Sequence, residues 1–118
     1  MIELLLPFPP STNTVWRNVK GRTLLSRKGR EFRKTVGRMV GEQHQGKPLE
    51  SRLAVTVTLF PPDRRKRDID NYGGKALLDA LTHAQLWVDD EQIDQLTIIR
   101  DERIKGGACR VEIKEVAA

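Results

Sequence analysis

The sequence predicts an α+β fold: one small domain spanning residues 1–118, with a mixed or mainly antiparallel sheet and two helices packed on it. Three observations carry this. Leu53, Val55, Val57 and Leu59 alternate with Ala54, Thr56, Thr58 and Phe60, the period of two of a strand. From Ser26 to about Glu42, Phe32, Val36, Met39 and Val40 recur at helical spacing. The strand and helix patterns do not alternate strictly, and the last two strands read as a hairpin, which excludes an all-parallel sheet. With 118 residues, 38% of them apolar, the chain suits one core and is too apolar for wholesale disorder.

Each element has a local reason. Ile2 to Leu6 reads as a buried strand, ended by Pro7, Pro9 and Pro10, which lack ladder donors, so PFPPSTNT reads as a stiff loop. Two short strands, Thr14 to Trp16 and Arg22 to Leu25, turn through Lys20-Gly21. Ser26 caps the first long helix. Opposite its apolar stripe, Arg27, Arg30, Lys34 and Arg38 fall within an arc of about 80°, and a face with so few interspersed acids suits phosphate contact as readily as plain solvation. After GEQHQGKPLES comes the strand Arg52 to Phe60, stopped by Pro61-Pro62. A second helix, about Tyr72 to Ala84, has Leu77, Leu78 and Leu81 inward and Lys75 and Asp79 one turn apart outward. Leu96 to Arg100 and Ala108 to Lys114 form the closing hairpin across DERIKGG, with Cys109, Val111 and Ile113 inward.

Composition excludes several functions. The longest apolar stretch, Leu4 to Phe8, is far short of a membrane span, and the chain opens without a secretory pattern, so a cytoplasmic location is expected. Cys109 is the only cysteine, which forbids an internal disulfide; with no partner His it is core packing, not a nucleophile. His44 and His83 are isolated and make no zinc site. Gly73-Gly74 and Gly106-Gly107 lack the flanks of a nucleotide loop, so no nucleotide cofactor is expected. Lys and Arg outnumber Asp and Glu by 21 to 16, which favours a polyanionic partner. The basic residues crowd between Arg17 and Arg38, whereas Asp89, Asp90, Glu91 and Asp94 cluster within six positions.

The stretch DRRKRDIDN sets four cations, Arg64, Arg65, Lys66 and Arg67, against Asp68 and Asp70. In extended chain the two carboxylates point the same way, and their repulsion is relieved by a divalent ion. Mg²⁺ needs only one or two protein carboxylates beside water and phosphate oxygens. WVDDEQID offers Asp90, with Asp89 as the alternative, provided the chain doubles back along the second helix through Trp87-Val88. The cations would then hold a phosphodiester backbone while Lys75 steadies charge on the phosphoryl oxygens. Taken singly, an Asp-x-Asp pair reads as a cap, a Lys75–Asp79 pair as a surface ion pair, and Asp89-Asp90 as a turn; their conjunction points to metal-dependent phosphodiester chemistry.

PFPPSTN, PPDRRKRDIDN and KALLDALTHAQLWVDDEQI, in this order and with two closing strands, resemble the RusA family of Holliday junction resolvases of phages and prophages. The resemblance covers nearly the whole chain. It implies a homodimeric endonuclease that binds four-way DNA junctions and nicks two opposing strands with Mg²⁺ or Mn²⁺. It implies metal ligands at Asp68, Asp70 and Asp90, a catalytic lysine at Lys75, and DNA contacts at Ser11, Thr12, Asn13 and Thr14 and from Arg64 to Asn71. One departure stands out: Lys75 follows Asp70 by five residues where the family pattern has four, and one extra helical residue turns everything after it by about 100°. Tandem glycine at 73 and 74 suits an irregular helix start that absorbs it. Two other readings compete: a non-catalytic nucleic-acid binder, and a metal-dependent nuclease acting on other branched DNA or on RNA. With aromatics at 5% of residues, stacking platforms for single strands are few.

Overall fold

The computed structural model describes residues 1–116. Its main sheet is mixed and four-stranded: β1 (Ile2–Leu6), β4 (Leu53–Phe60), β5 (Ile93–Arg100) and β6 (Ala108–Glu115) lie in the order β1-β6-β4-β5. A separate ribbon pairs β2 (Trp16–Val19) with β3 (Arg22–Leu25), and four helices complete the fold: α1 (Thr12–Val15), α2 (Arg27–Gln43), α3 (Ile69–Gly73) and α4 (Lys75–His83). The α+β expectation holds, and no helix among the described residues is long and apolar enough to cross a membrane.

The predicted closing hairpin is wrong. β4 lies between the two strands, antiparallel to β6 and parallel to β5. β6 is central, with Cys109, Val111 and Ile113 buried, whereas β5 is an edge strand exposed along most of its length. Their connection crosses the end of β4: the Asp101 N–H donates to the Leu59 carbonyl at 2.9 Å and the Ile104 N–H to the Pro61 carbonyl at 3.0 Å. Parallel pairing of β4 with β5 demands a crossover connection, which α3 and α4 supply.

In α2 the expected start is exact. Ser26 Oγ accepts the Gly29 N–H at 3.1 Å and donates to the Thr14 carbonyl at 2.5 Å, fixing α2 to α1. A Cβ at Gly29 would lie 2.7 Å from the Val15 carbonyl oxygen, so only glycine allows this approach. Phe32, Val36 and Val40 are buried and Met39 packs beside them. At the far end Gln43 bonds both the N–H and the carbonyl of Leu5, at 2.8 and 2.9 Å, satisfying backbone groups on the β1 edge.

Several boundaries move, among them that of β5, which begins at Ile93 rather than Leu96. Thr12–Val15 is a helical turn capped by Ser11, not the start of a strand, and the ribbon begins at Trp16. Its turn is as expected, with φ of 50° at Lys20 and 75° at Gly21, both positive as a two-residue type I′ hairpin requires. The second helix is two pieces separated at Gly74. The return strand predicted at Trp87-Val88 is a single parallel bridge to Leu49. It is anchored by Trp87, fully buried, whose Nε1–H donates to Thr82 Oγ1 at 2.6 Å.

Burial pushes the Cys109 thiol up to about 12. Because the folded value lies above the unfolded one of about 8.5, the thiol's contribution is complete below about pH 8.5 and is lost as pH rises from there towards 12. Thermal denaturation between pH 9 and 11 should therefore fall more steeply for the native chain than for Cys109→Ala, by on the order of 1 kcal/mol per pH unit at most; parallel slopes would show that the thiol is not desolvated.

Candidate active site

Beyond Phe60 the chain leaves the sheet through Pro61-Pro62 and folds around one arginine. The Arg67 guanidinium lies 5.4 Å from the Phe8 ring centroid and 5.7 Å from that of Tyr72, and its Nη1 donates to Asp63 at 2.8 Å. Its side chain is only 9% exposed. Arg65 pairs with the same carboxylate at 3.1 Å, and Arg67 first, then Arg65, hold the Asp63 carboxyl well below its usual range. The four-cation run is thus split. Arg65 and Arg67 share Asp63, whereas Arg64 and Lys66 are exposed and, among the described residues, in no ion pair.

Asp68 occupies the cap position of α3, yet its side chain makes no capping hydrogen bond. It and Asp70, both exposed, line one open cavity of about 430 Å³ with Thr12, Asn13, Asn71 and Lys75. Helix begins at Ile69, so the extended-chain argument for a shared side does not apply. What brings the segment into place is a clamp: Thr12 N–H donates to Asn71 Oδ1 at 3.1 Å, and Thr12 Oγ1 donates to the Asn71 carbonyl at 3.2 Å. The STN and DIDN motifs, 59 residues apart, therefore hold each other. Of the segment around Thr12, Asn13 faces the carboxylates, while Ser11 and Thr14 line a neighbouring cavity with Arg65, Lys66 and Lys28.

The extra residue before Lys75 falls in the break between α3 and α4. The Gly74 carbonyl accepts the Leu78 N–H at 3.1 Å, so the helical ladder restarts there. A Cβ on Gly74 would lie 2.7 Å from the Asp70 carbonyl oxygen, which makes glycine the residue for this junction. Lys75 keeps its place in the Asp68–Asp70 cavity and pairs with Asp79 at 3.4 Å. Asp90 stands within the field of the same Lys75. Burial above all, then a hydrogen bond with Asp89 and the charge of Asp79, raise the Asp90 carboxyl above its usual range, with Lys75 opposing.

The other acids of that cluster are engaged. Glu91 and Asp94 pair with Arg52 at 3.1 and 2.5 Å, and Asp89 caps the 3₁₀ turn Asp90–Gln92 in a capping box with Gln92. Among the described residues no three His, Cys, Asp or Glu side chains stand close enough together to hold one ion; Asp68 and Asp70 share the cavity, and Asp90 is not among the residues that line it. The donor chemistry nevertheless fits a hard divalent cation. The cavity offers carboxylate, carboxamide and hydroxyl oxygens without His or Cys, and two carboxylates suffice when waters and phosphate oxygens complete the shell.

The basic face of α2 is less free than its sequence suggests. Arg27 pairs with Glu31 at 3.0 Å, Arg38 with Glu42 at 3.2 Å, and Arg30 donates to the Leu25 carbonyl at 2.8 Å. Lys34 is exposed without an ion pair among the described residues. Two cations were missed by pattern reading, Lys28 and Arg100. Lys28 is set off the arc by its position next to Arg27, and Arg100 appears in sequence as an ordinary strand end.

The family model for endodeoxyribonuclease RusA matches residues 7–114. The chain belongs to the RusA endodeoxyribonuclease family. It is 39% identical over 114 residues to the crossover junction endodeoxyribonuclease of Enterobacteria phage HK97 and 35% identical over 114 to that of Escherichia coli K12, covering 97% of this chain and 94% of each relative. It is similarly 38% identical over 118 residues to the enzyme of Enterobacteria phage 82.

With its folded pKa raised, Asp90 favours the fold when protonated, an advantage present below its unfolded value of about 3.9 and lost as pH rises. At pH 7 the fold carries a partly desolvated carboxylate within the field of Asp79 and Asp89. Asp90→Asn should therefore raise Tm by a few degrees at pH 7, with the gap closing below pH 4; a variant less stable at both pH values would contradict this reading of the site.

Proposed function

We propose that this RusA-family chain is a structure-specific DNA endonuclease that resolves four-way junctions by paired symmetric nicks, in DNA recombination and repair. The observation that carries the reading is one cavity holding a lysine and two carboxylates in no ion pair among the described residues, with exposed Lys66 in a neighbouring cavity, in a chain 35–39% identical to crossover junction endodeoxyribonucleases over nearly its full length. A passive nucleic-acid binder has no use for exposed carboxylates where phosphates must approach, since they repel them.

Asp68 and Asp70 would hold a divalent ion, Mg²⁺ with Mn²⁺ as substitute, and Asp90 would serve as the third carboxylate; Asp89, engaged as a cap, is the weaker candidate. Such an ion, when bound, polarises the phosphoryl group and acidifies an attacking water. Lys75, held toward Asp79 on the first turn of α4, presents its ammonium to phosphoryl oxygens at the cavity mouth. Arg64 and Lys66, with Lys28 in the cavity that Lys66 lines and exposed Lys34 on α2, give sequence-independent phosphate contact, together with Ser11, Asn13 and Thr14 at the cavity rims. Arg65 and Arg67 build the basic loop on Asp63, while Thr12 and Asn71 position the carboxylates.

A homodimer is part of the proposal, because two symmetric cuts in a pseudo-two-fold junction require two sites related by a two-fold axis. The working compartment would be the cytoplasm of a bacterial cell, with a phage or prophage source in keeping with the HK97 and phage 82 relatives.

Incubated with a synthetic four-way junction and Mg²⁺, the native chain should nick two opposing strands, and linear duplex should survive. Asp70→Asn should retain or improve junction binding, since a negative charge near the phosphates is gone, while cutting falls by about 10³-fold or more. Equal cutting by both would refute the metal role of Asp70. Lys75→Ala should lower nicking about 10²-fold with binding spared; unchanged nicking would remove Lys75 from the mechanism.

A further inference from the structure

We propose that Arg100 is a phosphate-gripping residue that seats the scissile phosphodiester against Asp68 and Asp70. The inference rests on the junction-endonuclease reading and adds a substrate contact to it. Arg100 is the last residue of β5, and the parallel register sets it opposite Leu59, one residue before the end of β4. Parallel pairing places the carboxyl ends of both strands on one edge, the edge from which the Asp68–Asp70 segment departs. Without that pairing the two segments, some 30 positions apart, would have no reason to meet.

The geometry at this edge is specific. Arg100 borders one open cavity with Asp68 and Asp70, and a second with Lys66, Asp68 and Asn71. Its Nη2 donates to the carbonyl of Arg67, the residue immediately before Asp68. A guanidinium carries five N–H donors in a rigid plane, so this bond anchors one arm of the fork and leaves the rest open. Anchoring also reduces the side-chain freedom lost when a second ligand is gripped. Despite sharing a cavity with two carboxylates, Arg100 forms an ion pair with neither among the described residues, and neither carboxylate is paired elsewhere. In open water separated charges forgo little by remaining apart.

This arrangement complements a phosphodiester that itself bears a cation: the carboxylates face the positive partner, and the guanidinium faces the phosphate oxygens, bidentate where its fork allows. Of the neighbouring arginines, Arg65 and Arg67 are committed to Asp63, and Arg64, though in no ion pair among the described residues, does not line the cavities of Asp68 and Asp70. Arg100 is the arginine beside Asp68 and Asp70 whose charge remains available.

The test couples one side chain to one phosphate. Junctions carrying an ordinary phosphodiester or a neutral methylphosphonate at the scissile position are titrated in EDTA with the native chain, Arg100→Ala, Arg100→Gln and Arg64→Ala. Arg100→Ala should bind the ordinary junction about tenfold more weakly, with the slope of log K against log salt reduced by about 0.9. On the methylphosphonate junction it should match the native chain, whereas Arg64→Ala should lose affinity on both junctions alike. Arg100→Gln, polar but uncharged, should behave as Arg100→Ala. Additive losses, or a Gln variant indistinguishable from the native chain, would reduce Arg100 to a loop anchor and overturn the proposal while leaving the endonuclease reading intact. A native chain that neither prefers the junction over duplex nor nicks it with Mg²⁺ would overturn both.

Discussion

Parallel pairing of β4 with β5 is the constraint from which the site follows. Two adjacent strands running the same way cannot be joined by a turn, so the chain must leave the sheet after Phe60, run back as α3 and α4, and re-enter at Ile93. The residues proposed for the chemistry lie on that crossover or at the far end of the strand that follows it: Asp68 and Asp70 where it departs, Lys75 at the head of α4, Asp90 where it returns, and Arg100 where β5 reaches the departure edge again. Buried Leu77, Ala80 and Leu81 hold α4 on the core, and buried Trp87 with the Leu49 bridge fixes the return. The hydrophobic core thus sets the spacing of polar groups that it does not itself contain.

Charge is distributed unevenly around this crossover. Where architecture needs an arginine it receives a carboxylate in exchange, as with Arg67 and Asp63 or Arg52 and Asp94. At the cavity the exchange is incomplete: Asp68 and Asp70 are in no ion pair among the described residues, and Asp90 is partly desolvated beside two further carboxylates with Lys75 as the opposing charge. Sites whose groups stay unsatisfied in the folded protein are where a ligand supplies the missing partner. Exposed Lys66 and Arg100 share cavities with these carboxylates yet form no ion pair with them among the described residues, so both signs of charge stay available at the site.

Much of this was legible in the sequence because the signals were local. The Ser26 cap, the stripe Phe32, Val36 and Val40, the alternation in β4, and the positive-φ turn at Lys20-Gly21 are each set by neighbours a few positions away. So was the significance of tandem glycine before Lys75, which the Gly74 break accounts for. The misread hairpin is a different kind of feature. Nothing local to β5 or β6 reports that β4 separates them. For the same reason the mutual hydrogen bonds of Thr12 and Asn71 could not be read from the sequence, and pattern reading passed over Lys28 and Arg100, whose relevance depends on where other segments lie.

The central claim is that the two carboxylates at the start of the crossover form a divalent-ion site independent of DNA. Mn²⁺ binding followed by electron paramagnetic resonance tests it directly, on the native chain, on Asp68→Asn/Asp70→Asn, and on Asp89→Asn. The account predicts saturable Mn²⁺ binding by the native chain and by Asp89→Asn, displaced by excess Mg²⁺, and its loss in the double variant. Undiminished binding in a folded Asp68→Asn/Asp70→Asn protein would contradict it.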